Sequence, residues 1–347
     1  VFRHVFGVSQ GGNWEGTNIL HRPDVPERIA AELGLATGEL DELEARGRQR
    51  LYELRSAREW PDRDEKVVAS WNAMMLAAFA EAGRVLGRAD YVEAADACAD
   101  FILKEMRRDG RLLRTWRDGT AKIDGFLEDY ALLVDALLTV YGATFDTRRV
   151  EQAGEVADRM IELFWDPAEE LFFDTPSGGE RLVVRPRDIY DNATPSGTSA
   201  ATRALVRLGR LTGGPEYERL AGRVLRSMAR VATELPQGFG LLLSVLAHHL
   251  STPTEVALVG EPNTLDTEAM LAVVNRRFLP HTTVALLDPR NGSGSAAIIP
   301  LLADRPMRDG RVTAYVCRQY TCKQPVTEPR ALELDLALIR SGAETSG

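Results

Sequence analysis

VVASWNAMMLAAFAEAGRVLGRADYVEAADACADFILKEM, residues 67–106, reads as two helices folded back on each other. In the first half Val68, Trp71, Met75, Ala78, Ala82 and Val85 recur at three- and four-residue steps, which gathers them on one helical stripe. The break Gly87-Arg88-Ala89-Asp90 ends that helix, and Asp90 is the expected N-cap of the next. The unit then recurs. Leu127, Tyr130, Leu133, Val134, Leu137 and Tyr141 mark a helix from Phe126 to Tyr141, with a partner from Arg148 to Phe164. A third pair is expected over 196–211 and 216–231, and one further helix over 239–250. Tyr91, Val150 and Tyr217 fall at comparable points roughly 60 residues apart, the period of a repeat architecture.

Between the hairpins lie longer segments, 107–124 and 166–194, that read as short strands and turns. Asp109-Gly110 and Asp118-Gly119 are hairpin dipeptides. Each long loop precedes the first helix of a pair. Hairpins packed around a common axis would therefore send these loops to one end, as a shared mouth. After Ser251 the pattern becomes strand (255–260), helix (266–278), strand (282–287), turn-rich loop (288–295) and strand (312–318), a small α/β element. The expected fold is mainly α: a partial (α/α)6-type toroid of helical hairpins over 1–250, an α/β appendage over 251–340, and a frayed tail over 341–347.

Composition narrows the function classes. The 347 residues carry 42 basic and 51 acidic side chains, a net charge of −9, which disfavours a nucleic-acid backbone as partner. No apolar run approaches the ~20 residues that span a bilayer, so no membrane association is expected. Three cysteines make no disulfide framework. No secretory signal is read, and a reducing, cytoplasmic setting is expected. Cys317 and Cys322, five apart, would point to opposite faces of one strand unless the strand ends between them; buried, inert packing is the expectation for both, and for Cys98. Of five histidines, His4 and His21 lie near the start and His281 in the appendage. His248 and His249 end a helix, one expected at the core edge and one in solvent. No spacing resembles a metal site, and Asn291-Gly-Ser-Gly-Ser295 lacks a dinucleotide fingerprint and reads as a turn, so no metal or cofactor is expected. The apolar opening, Val1-Phe2-Arg3-His4-Val5-Phe6-Gly7-Val8, reads as the middle of a longer protein.

Three mouth segments are rich in polar groups: Asp62-Arg63-Asp64-Glu65-Lys66 with Trp71-Asn72; Asp124 with Glu128-Asp129-Tyr130; and Arg185 through Gly197. Paired carboxylates are what glycosidic-bond chemistry needs, one to protonate the leaving oxygen and one as base or nucleophile. Asp64 and Asp191 are the acid/base candidates, with Glu128 and Asp188 as alternates. Arg185 and Asn192 would bind hydroxyls, Trp71 and Tyr130 would form a wall, and Asn72, Asp129 and Ser196 complete the substrate-binding set. Each has a bland counterpart. Asp and Ser before a helix are ordinary caps, which applies above all to Asp124 and Ser196, and the bland reading of the arginines is that they neutralise neighbouring acids and do nothing further.

Several motifs carry a family resemblance. Gly11-Gly12-Asn13-Trp14-Glu15-Gly16-Thr17-Asn18-Ile19-Leu20-His21, Asp64-Glu65-Lys66-Val67-Val68-Ala69-Ser70-Trp71-Asn72, Leu127-Glu128-Asp129-Tyr130-Ala131, Asp191 through Gly197, and Val316 through Cys322 resemble segments of the spermatogenesis-associated protein 20 family. The resemblance implies a thioredoxin-like domain followed by a six-hairpin toroid, the scaffold of N-acylglucosamine 2-epimerases and several glycosidases. The thioredoxin-like part and the first toroid helices have no counterpart in these 347 residues, as expected of a C-terminal fragment. Three functions stay open: glycoside hydrolysis by mouth carboxylates, a non-catalytic glycan- or protein-binding module working with the thioredoxin-like domain, and sugar epimerisation or isomerisation. The epimerases of this scaffold use histidines as acid and base, and no histidine here falls on a repeat mouth.

Overall fold

The computed structural model describes residues 1–180, 182–290, 294–319 and 321–341, with backbone only for 338–341. Most of the expected 291–295 turn, and the tail from 342 onward, lie outside the described residues. The chain forms two compact units, Val1–Glu65 and Lys66–Gly347.

The first unit holds helices α1 (Phe2–Val5), α2 (Pro26–Leu33) and α3 (Thr37–Ser56) around a small core of Val5, Ile29, Ala30 and Leu40. Its connecting loop is organised by two asparagines, Asn18 pairing with both backbone groups of Ser9 and Asn13 bonding further along. Asn13 donates to the carbonyls of Gly7 and Ile19 and accepts from the Ile19 N–H at 2.8 Å. Gly12, at φ +79°, lies so close to the Thr17 backbone that a Cβ would overlap it.

The second unit begins with β1 (Val67–Val68) and three hairpins of helices. These are α4 (Ala69–Leu86) with α5 (Ala89–Glu105), α6 (Leu127–Thr144) with α7 (Arg148–Phe164), and α8 (Gly197–Thr212) with α9 (Pro215–Glu234). Between them run β2 (Arg107–Arg108), β3 (Arg111–Arg117), β4 (Thr120–Asp124), β5 (Trp165–Asp166) and β6 (Leu171–Phe172). A lone helix, α10 (Gly240–Leu250), follows. The first helix of each hairpin packs on the first helix of the next, α4 on α6, α6 on α8 and α8 on α10, while α5, α7 and α9 back their partners from outside. That inner and outer layering is an arc of an α/α toroid. Helix α6 shows it most clearly: sandwiched on all sides, it buries 13 of its 18 residues, so its sequence is apolar all round rather than on one stripe.

Two of the three hairpin turns are set by glycine, and the α6–α7 turn by Phe145 in the same left-handed conformation. α4 and α8 each end on a left-handed glycine, Gly87 and Gly213. Three residues before each helix end, Gly83 and Gly209 let the partner helix approach: a Cβ on Gly83 would meet Val92 Cγ2 at 2.6 Å, and one on Gly209 would meet Glu218 Cγ at 2.8 Å. The helix α5 begins two residues earlier than expected, after Arg88, so that Asp90 sits in its first turn and pairs with Arg88 rather than capping the helix.

The stripe expected on α4 faces outward. Trp71 is 64% and Met75 57% exposed, and Val85 also lies in solvent. The buried face is instead Ala69, Ala73, Leu76, Ala80 and Gly83. Small side chains allow α4 to lie close against α6 and α5.

Beyond Ser251, β7 (Thr254–Val259) and β8 (Thr282–Leu287) pair in parallel through α11 (Leu265–Asn275), and β9 (Thr313–Arg318) runs antiparallel to β7. A short helix α12 (Gly294–Ile298), β10 (Thr321–Cys322) and α13 (Pro329–Ser341) complete the element, whose core is Val256, Leu258, Met270, Leu286, Val316 and Leu336. Cys317 and Cys322 are not inert thiols. The strand ends between them, β10 folds back on β9 so that the two stand opposite each other, and a disulfide joins them. Cys98 is the free cysteine. No described helix is long and apolar enough to cross a membrane.

Candidate functional site

The starts of α4, α6, α8 and α10 lie at one end of the arc, and two carboxylates tie them in pairs, α4 to α6 and α8 to α10. Asp129, fully buried, accepts from the Ser70 N–H of α4 at 3.0 Å and from the Phe126 N–H at the start of its own helix at 2.9 Å. Arg114 of β3 adds a charged bond at 2.9 Å. Burial pushes the Asp129 carboxyl up from the usual range, against the pull of Arg114 and the backbone donors. Asp191 repeats the device. Its Oδ1 accepts from the Ser196 N–H before α8 at 3.0 Å, and its Oδ2 from the Leu241 and Leu242 N–H groups of α10 at 2.8 and 3.3 Å. Four helix N-termini on one rim make a positive field that favours carboxylates there.

The other expected site residues divide into framework and rim. Ser196 caps α8, its Oγ accepting from the Ser199 N–H at 3.1 Å. Tyr130 is 2% exposed; its hydroxyl accepts from the Leu112 N–H at 2.7 Å and its ring packs edge-on against Phe164, which leaves no open face for a sugar. Asn72 donates to the Val68 carbonyl at 2.9 Å. Arg185 donates to the carbonyls of Leu163 and Thr175, so it fastens the loop rather than reaching out. Asn192 and Asp188 are exposed, as is Trp71. Asp64 is exposed in the first unit. Glu128 lies half-buried on the rim, paired with Arg114 at 2.7 Å.

One rim residue had no signal in the sequence. Asp174 lies in the loop between α7 and α8, far in sequence from any helix start. The loop doubles back over the start of α6. Arg185 and Arg187 lie over the Phe173 ring at 3.9 and 3.8 Å, and the Leu127 N–H donates to the Asp174 carbonyl at 2.9 Å. Asp174 Oδ2 accepts from the Asp188 N–H at 2.6 Å. Burial, together with the neighbouring negative charges of Asp188 and Glu128, pushes the Asp174 carboxyl up to about 6, although the Asp188 N–H and Arg187 pull it down. Asp174 thus keeps its proton to a higher pH than an ordinary carboxyl, the kind of shift that acid/base chemistry uses. Among the described residues no group of three histidine, cysteine or acidic side chains could hold a metal ion.

Comparisons with known proteins place the chain as follows. No family model matches. Spermatogenesis-associated protein 20 of Rattus norvegicus is 29% identical over 345 residues, covering 93% of this chain and 44% of that protein. The chain therefore spans less than half the length of this relative. Among solved structures, a GH76 α-mannanase of Bacteroides thetaiotaomicron aligns at TM-score 0.40 and 16% identity, over 50% of this chain and 46% of that one. A cellobiose 2-epimerase of Bacillus thermoamylovorans aligns at TM-score 0.40 and 14% identity, over 48% and 45%. Scores this low carry no argument about activity. Over nine-tenths of its length, the chain is similar to spermatogenesis-associated protein 20.

Proposed function

We propose that the rim of the toroid is an acid/base site of the glycoside-processing kind, with Asp174 as proton donor and Glu128 or Asp188 as its partner carboxylate. The observation that carries this reading is the raised Asp174 carboxyl, at about 6, beside two acidic neighbours. A donor with that value is half protonated at about pH 6, where it can protonate a leaving oxygen without strong acid. Asp129 and Asp191 serve as fixed struts in this scheme, because their oxygens are engaged by backbone donors. Asn192 and Trp71 are assigned to hydroxyls and to a sugar face.

The test is a panel of chromogenic glycosides assayed from pH 4 to 9. Hydrolysis with a basic limb near pH 6, abolished in Asp174→Asn, supports the reading. Absence of turnover by the folded wild type, or an unchanged pH profile in Asp174→Asn, sinks it. The remaining reading is then a non-catalytic binding module, favoured by the same two struts: they fix a rim geometry whether or not a reaction follows.

A further inference from the structure

At the opposite end of the inner helices lies an open-sided cavity of about 500 Å³, walled by α4, α6, α8 and α10 and floored by β8 and the segment after α11. Its chemistry centres on Asp135. This carboxylate is buried between two arginines one turn apart on α8: Arg203 donates to Oδ2, and Arg207 donates to Oδ1 at 2.6 Å and to the Asp135 carbonyl at 3.0 Å. Arg207 also reaches Thr139 Oγ1 at 3.0 Å through the same nitrogen, Nη1. Burial pushes Asp135 up, but the two guanidinium groups outweigh it and hold the carboxyl below its ordinary range.

The charges in the cavity do not balance. Arg84 is matched by Glu81 and Asn275, and Arg277 by Glu333. Arg203 and Arg207 share one carboxylate between them, which leaves one positive charge over. Each spends only one terminal nitrogen on Asp135; Arg203 Nη1 and Arg207 Nη2 have no acceptor among the described residues, and about a third of each side chain stays exposed. The imidazoles of His248 and His281 stack at 5.2 Å beside them. Burial first, then the positive charge of Arg210, pushes His248 down to about 3, so no proton settles on it at neutral pH. Hydroxyls of Ser244, Thr282 and Thr283 border the same space.

We propose that this cavity binds an oxyanion, the phosphate or carboxylate group of a small polar metabolite, on the free guanidinium edges of Arg203 and Arg207. Two forked donors held in a fixed plane by Asp135 suit an acceptor with several oxygens, and a ligand of one or two negative charges restores neutrality. The volume admits a molecule of monosaccharide size. The proposal does not depend on the rim chemistry, since binding is read without turnover.

The experiment titrates the full chain with inorganic phosphate, glucuronate and, as a neutral control, glucose, each followed by calorimetry and by melting temperature. Saturable binding of phosphate or glucuronate, with no response to glucose, is expected; the stronger of the two identifies the anion source. Ser244→Asp, at an exposed position on the cavity wall, should weaken binding by about tenfold or more by supplying the missing charge. Arg203→Lys should weaken it similarly by removing the fork. If Arg203→Lys fails to fold, Ser244→Asp alone decides. Failure of both anions to bind saturably, an equal response to glucose, or unchanged affinity in the folded Ser244→Asp variant overturns the proposal.

Discussion

Asp191 accepts the backbone N–H of Leu241 at 2.8 Å across fifty residues of chain. The same carboxylate holds the Ser196 N–H, so one side chain sets the start of α10 against the start of α8. Asp191→Ala strips three N–H donors at two helix starts of their acceptor and should cost about 2 kcal/mol. Asp191→Asn retains one acceptor oxygen and should cost less. Urea unfolding of the two variants checks the order, and equal stability of all three proteins would contradict the bridging role.

Asp174 gives a stability prediction with a definite sign. Its folded pKa is raised to about 6 from 3.8, so the folded state keeps its proton where the unfolded chain has lost it. Stability is therefore present in full below about pH 4 and falls as pH rises through 6. Asp174→Asn cannot ionise and escapes this loss. It should be more stable than wild type by about 2 kcal/mol above pH 7, after discounting for solvent, and no different below pH 4. Melting curves at the two pH values test it.

Asp135 works in the other direction. Its folded pKa is lowered, so its contribution is present above the ordinary carboxylate range and disappears as pH falls through the folded value. Asp135→Asn leaves Arg203 and Arg207 facing each other without a counter-charge and should cost about 3–5 kcal/mol at neutral pH. A double-mutant cycle with Arg207→Gln should show strong coupling between the two positions.

The Cys317–Cys322 disulfide closes a very short loop. Its loss, by Cys322→Ser or by reductant, should lower stability by only about 2 kcal/mol. Thiol titration in denaturant should find one reactive group, Cys98, before reduction and all three afterwards.

Gly83→Ala probes the hairpin directly. The added methyl meets Val92 Cγ2 at 2.6 Å and the Arg88 carbonyl at 2.9 Å. The backbone carbonyl cannot move aside cheaply, so a cost of about 1–3 kcal/mol is expected despite the better helix propensity of alanine. A melting temperature at or above that of wild type would contradict the close approach of α4 and α5.

The hairpins were legible in the sequence because their signals are local: 3.6-residue periodicity, glycine at helix ends and Asp-Gly turns at 109–110 and 118–119, both with positive φ in the structure. Which face of a helix is buried was not. On α4 the bulky residues Trp71 and Met75 advertise a core stripe, yet alanine and glycine make the contact, and hydrophobic pattern alone does not register the value of close approach. The rim was legible as a set of acidic helix starts, but the difference between a strut and a free acid depends on which backbone donors arrive from elsewhere. Leu241 reaches Asp191, and nothing near either residue announces it. Asp174 was invisible for the same reason, since only the return of its loop over Phe173 brings it to Glu128. The cysteine pairing hinged on where a strand stops, a boundary that sequence patterns fix least well.

The outward-facing indole and thioether groups of α4 also bear on how the chain behaves in a test tube. Water against such a surface is readily displaced by other greasy surfaces, so dilute and concentrated preparations of these 347 residues should differ in light scattering and in retention on phenyl resin. Replacing Trp71 and Met75 with lysine and glutamate should abolish that dependence while leaving the melting temperature nearly untouched, because neither side chain holds anything inside.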